Sequence, residues 1–194
     1  MPILGIIASQ ISGHLFSAGT FDSIATYNVS TAVGSITFSS IPATYTHLQL
    51  RVITRSAYAG ATDNFYYSLN SDTTNANYYS HRLNGDGASA TATAANNRII
   101  GSNAVAGNTA TAGVFSGIVI DILDYANTNK YKTFRCLNGY DVNGTVGTGS
   151  YGGQVGLYSG VWMNTTALSS IQLYPLTGTL FNQYSSFALY GVKA

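Results

Sequence analysis

The sequence predicts an all-β fold, a jelly-roll-like antiparallel β-sandwich of about ten strands, and three observations predict it. Short runs rich in Val, Ile, Thr, Tyr and Phe recur between clusters of Gly, Asn, Ser and Asp, the pattern of strands separated by turns. No stretch sustains apolar residues at the 3.6-residue spacing of a helix. All 7 acidic residues are Asp, so Glu, a leading helix former, is absent. A chain of 194 residues can bury about 70% of its unfolded surface in one core, and residues 17–194 are expected to form a single domain.

The strands follow in order. DSIATYNVS (22–30) and SITFSSI (35–41) are short β-branched runs closed by Ser and Thr. HLQLRVITR (47–55) alternates: Leu48, Leu50 and Val52 share one face while Gln49, Arg51 and Ile53 share the other, so one face is packed and one is wet. NFYYSLN (64–70) and YYSHRLN (78–84) are aromatic runs bounded by Asn. VFSGIVIDILDY (114–125) has Ile118, Ile120 and Ile122 on one face and Val119, Asp121 and Leu123 on the other, which predicts a central strand covered on both sides. Ala126–Asn129 contains two Asn that tolerate left-handed backbone, so this strand and KYKTFRCLNGYDV (130–142) should form a hairpin. QVGLYSGVW (154–162), SSIQLYPL (169–176) and SSFALYGVK (185–193) complete the set. Residues 86–113, small and polar apart from Ile99 and Ile100, and 143–153, Gly/Thr-rich around Tyr151, read as long loops, where contact with partners concentrates.

Charge excludes several functions. The net charge is +1, with 8 Lys+Arg scattered along the chain, so neither nucleic acid nor an anionic membrane meets a basic patch. The single Cys136 lies inside an apolar strand and reads as a small buried hydrophobe. The first sixteen residues are apolar without Lys or Arg, and their uninterrupted run is far short of the ~20 residues that span a bilayer. We therefore expect segment 1–16, through Ile3, Leu4, Ile6, Ile7 and Ile11, to dock the domain on another protein rather than insert in a membrane.

No enzyme pattern stands out. Asp121 and Asp124, the one close acidic pair, lie three apart on a strand and point to opposite faces. The three His share no metal spacing, and Asn70–Asn77 offers oxygen ligands but lacks the closing Glu of a calcium loop. No catalytic residue, metal or cofactor is expected. What exceeds background is the aromatic content, with 15 Tyr, 8 Phe and 1 Trp. Tyr58, Tyr78, Tyr79, Tyr151 and Trp162 fall in or beside expected loops, where rings with polar tips suit a glycan or a protein interface. A β-rich surface with so few charges also predicts burial against copies of the same chain.

Four stretches carry a resemblance: Met1–Ser9 (MPILGIIAS), Ser35–Pro42 running into Tyr45–Leu48, Asp121–Lys132 (DILDYANTNKYK) and Phe187–Lys193 (FALYGVK). Together they resemble small structural proteins of tailed bacteriophages. The resemblance implies a virion component, oligomeric and without cofactor, and brings no set of functional residues. The expectation is a tail-fibre or receptor-binding appendage that contacts host surface glycan, the alternative being a capsid decoration or cement protein. Its expected partners are copies of itself, with a trimer favoured, and other virion proteins.

Overall fold

A computed structural model describes residues 20–141 and 153–193. Segment 1–16, with Ile3, Leu4, Ile6, Ile7 and Ile11, lies outside the described residues, as does Tyr151. The described residues form twelve strands: β1 (Phe21–Asn28), β2 (Ile36–Phe38), β3 (His47–Thr54), β4 (Thr62–Leu69), β5 (Tyr78–Gly85), β6 (Ala90–Ala95), β7 (Ile99–Ala106), β8 (Ser116–Leu123), β9 (Lys132–Asp141), β10 (Gly153–Trp162), β11 (Ile171–Pro175) and β12 (Ser186–Val192). One 3-10 turn, Asn75–Asn77, precedes β5.

All pairings between these strands are antiparallel, in an eight-stranded sheet of order β1-β12-β3-β8-β9-β10-β5-β6 and a four-stranded sheet of order β2-β11-β4-β7. A jelly roll is contained in this order. If β1, β2, β3, β4, β7, β8, β11 and β12 are counted one to eight along the chain, the first sheet begins 1-8-3-6 and the second reads 2-7-4-5, two interlocked Greek keys. Two hairpins are inserted into that plan: β5–β6 between the fourth and fifth strands, and β9–β10 between the sixth and seventh. They meet edge to edge through β10 and β5 and extend the larger sheet by four strands beyond β8.

The expected loop at 86–113 therefore holds two strands, β6 and β7. β6 shows none of the usual bulky strand residues, and β7 shows them only towards its ends, at Ile99, Ile100 and Val105. β6 is Ala and Thr only, and in β7 Gly101 separates the buried Ile100 from the buried Val105, because a Cβ there would fall 2.6 Å from the Ala104 Cβ and 3.3 Å from the Phe65 Cβ. The hairpin β8–β9 is present, but β8 is covered on one side only: Ile118, Ile120 and Ile122 are buried, while Val119 on the opposite face is exposed. In the described residues nothing packs over that outer face, so its alternation marks a buried face and an uncovered one.

The core lies between the sheets. Leu48, Leu50, Val52, Ile118, Ile120 and Phe187 pack against Phe65, Tyr67, Leu69, Ile171 and Leu173. Phe181 bridges the layers, 6.0 Å from the Phe65 ring centroid and 4.8 Å from that of Phe187. Several of the few ionic side chains are buried and spent on loop backbone. Arg55 donates to the carbonyls of Asn108, Ala110, Thr111 and Val114 at 2.8–3.2 Å. Lys132 donates to the carbonyls of Asn127, Lys130 and Thr165, and Asp63 accepts from the amides of Asn64, Thr177 and Gly178. Each buried charge is thus hydrogen-bonded, as burial requires. No helix among the described residues is long and apolar enough to cross a membrane.

Candidate functional site

Strand parity sends every second side chain of the larger sheet outward, and the hairpin insertions fill those positions with apolar residues. In register, Arg51, Val119, Leu137, Leu157, Leu83 and Ala92 form one line across β3, β8, β9, β10, β5 and β6. The neighbouring line is Ile53, Gly117, Gly139, Val155, Gly85 and Ala90. Ile53, Leu83, Leu137, Val155 and Leu157 are each 53–57% exposed. Nothing lies within 4 Å of where a Gly117 Cβ would stand, so the band is open to solvent there too. Apolar side chains this exposed and this contiguous mark an interaction surface.

One flank of the band is polar. Gln49, Asp121, Arg135, Ser159 and His81 form the next line, in which Gln49 donates from Nε2 to Asp121 Oδ1 at 2.8 Å and Arg51 donates from Nε to Gln49 Oε1 at 2.8 Å. Leu83, Leu157, Ala92, Ala94, His81 and Ser159 line a shallow depression on the same face. The band itself carries no charge beyond Arg51 at its end, and an apolar centre with a polar rim is the anatomy of a protein interface.

The aromatic residues singled out from the sequence are not brought together on one surface. Tyr78 and Trp162, expected in or beside loops, belong to the interior: their rings stack 6.3 Å apart at 21°, and both are buried. Trp162 donates from Nε1 to Asp72 Oδ2 at 2.8 Å, and the Tyr78 hydroxyl donates to the Asp72 carbonyl at 2.9 Å. Strand parity explains both positions. Trp162 pairs with Tyr78 across β10 and β5, and both face inward with Tyr158 and Ser80. Tyr58 is half-buried, its ring filling the space left by Gly60, where a Cβ would fall 2.3 Å from Cε1. Tyr79 alone stands on the outer face, 42% exposed, its hydroxyl 3.0 Å from the Asn96 amide.

A second aromatic surface, which the sequence reading did not single out, lies on the outer face of the smaller sheet. Tyr66 and Tyr174 are opposite each other across β4 and β11 and stack at 5.6 Å and 18°. The Arg98 guanidinium lies 5.6 Å from each ring centroid and donates to Ser68 Oγ at 2.7 Å and to the Tyr174 hydroxyl. The signal for both surfaces is phase. Tyr66 lies out of step with Phe65 and Tyr67, and Leu83, Leu137 and Leu157 lie out of step with the inward aromatics of their strands.

Cys136, Asp124 and Asp72 are tied to structure. Burial pushes the Cys136 thiol up to about 12, against a hydrogen bond from Asn138 that lowers it, so the thiolate that nucleophilic chemistry needs is suppressed. Asp124 lies below the usual carboxylate range chiefly because Lys130 donates to it at 2.7 Å. Asp72 is raised by desolvation but lowered further by the hydrogen bonds of Trp162, Asn77 and Thr74, and ends below its ordinary value. Among the described residues no three His, Cys, Asp or Glu side chains converge where a metal could be held. Comparison with protein families, with curated proteins and with solved structures finds no match to this chain.

Proposed function

We propose that the chain is a non-enzymatic structural subunit of a tailed-bacteriophage particle, and that the outer face of its four-strand extension docks on a neighbouring virion protein. The observation that carries this reading is the location of the exposed apolar band. Leu83, Leu137, Val155 and Leu157 all lie on hairpins that the jelly roll does not need for closure. The stretches resembling phage structural proteins, Ser35–Pro42 and Asp121–Lys132 among them, support the setting.

The test replaces the wild-type chain by Leu137→Asp/Leu157→Asp during particle assembly. Both side chains point outward, so circular dichroism should report a folded variant, and purified particles should lack it. Normal incorporation of the folded variant would overturn the docking role.

A receptor-binding appendage is the second reading, favoured by the Tyr66–Tyr174 pair with Arg98 beside it, rings with polar tips on a surface that suits host glycan. Gold-labelled antibody at the tail tip, with glycan binding lost in Tyr66→Ala, would support it. Label over the head would support decoration of the capsid.

A further inference from the structure

An exposed sheet edge offers unpaired N–H and C=O groups to any strand that approaches, and folds normally blunt such edges. Three of the four edges here are blunted. β1 has a register shift between Ser23 and Ala25 and carries Asp22, ion-paired with Lys193. β2 is three residues long. β7 meets β4 with two register shifts, at Asp63/Phe65 and Phe65/Tyr66. The fourth edge, β6, has none of these devices: it pairs with β5 in six consecutive steps without a shift, and it contains no charge and no Pro. Its residues 90–94 are exposed on both faces of the sheet.

We infer that β6 is a self-pairing edge, whose partner is the β6 strand of a second copy of this chain, joined antiparallel about a dyad through Ala92. The sequence is what selects a second copy. Residues 90–94 read Ala-Thr-Ala-Thr-Ala, a palindrome, so the dyad sets Ala90 opposite Ala94, Thr91 opposite Thr93, and Ala92 opposite itself. Antiparallel neighbours directly opposite share a face, and every pair in this register obeys that rule. Thr–Thr pairs across antiparallel strands stabilise a sheet, and Ala opposite Ala leaves no gap or clash to resolve.

The register also extends the apolar band. Ala92 ends the line that runs through Val119, Leu137, Leu157 and Leu83, so the dyad joins that line to its own copy on the same face of one continuous sheet. The closed assembly is a dimer, in place of the trimer favoured from the sequence. This association is separate from docking of the outer face, since it uses backbone groups at the edge and not the exposed Leu side chains.

The test uses the full chain. Light scattering after size exclusion should give a dimer, and Ala92→Lys, which sets two ammonium groups opposite each other at the dyad, should weaken dimerisation at least tenfold. Ala92→Cys should form a covalent dimer under mild oxidation, because opposed Cα atoms in an antiparallel pair stand ~4.5–5.5 Å apart, within disulfide reach. Thr91→Cys alone should not, whereas Thr91→Cys mixed with Thr93→Cys should. Cys136 is buried and takes no part. A monomeric wild type would overturn the pairing, as would a dimer that survives Ala92→Lys and leaves Ala92→Cys uncrosslinked. Either result is independent of whether Leu137→Asp/Leu157→Asp enters particles.

Discussion

Asp72 shows how one side chain can join segments that are distant in sequence. It accepts from the Trp162 indole, the Asn77 amide and the Thr74 backbone, and so ties the turn before β5 to the end of β10. Because its folded value lies below the ordinary value near 3.9, the carboxylate contributes stability that is present above pH ~4 and is lost as pH falls through the folded value. Asp72→Asn should therefore cost about 1–2 kcal/mol at pH 7, with the difference from wild type narrowing below pH ~4. Urea titrations followed by the fluorescence of Trp162, the single tryptophan, would measure both. This contact was not legible in the sequence. Asp72 sits in an Asn-rich turn and Trp162 ninety positions away, and only pairing of β10 with β5 brings them together. Parity within each strand was legible, and it places Leu48, Leu50 and Val52 inward as expected.

At the scale of elements, strands with bulky β-branched or aromatic residues were readable, and ten of the twelve fall within or close to their expected ranges. β6 and β7 were not, because their evidence is contextual. Ala-Thr alternation is a weak strand signal on its own, and in β7 the apolar Ile99–Ile100 and Val105 are split by Gly101, which the closeness of Phe65 keeps small. The hairpin between β8 and β9 depends on Lys132, which points inward beside Phe134 and spends its ammonium on three carbonyls. Burial pulls its pKa down and Asp124 pulls it back up. Lys132→Met preserves the length of the side chain but strands those carbonyls, so a loss of about 2–4 kcal/mol is expected in urea unfolding. Retention of wild-type stability would mean that water replaces the ammonium without cost.

For the whole molecule, the eight jelly-roll strands close the core, and the added strands carry the exposed Leu83, Leu137, Val155 and Leu157 on one outer face. Neither the dyad edge nor the apolar band depends on opposite charges, and the net charge is +1. Raising salt from ~0.05 to ~0.5 M, which shortens the Debye length several-fold, should leave association unchanged or strengthen it, whereas an electrostatic interface would weaken. Sedimentation at the two salt concentrations distinguishes these cases. The buried ionic side chains have a further consequence. Arg55 and Lys132 hold their loops by backbone carbonyls, which every residue supplies, so exposed Thr109, Thr111, Thr128 and Asn129 are not what keeps those loops in place. Substitutions there leave the anchors intact: the loops can drift in sequence under selection while their backbone path is conserved, giving the protein a surface that changes its identity without rebuilding its frame.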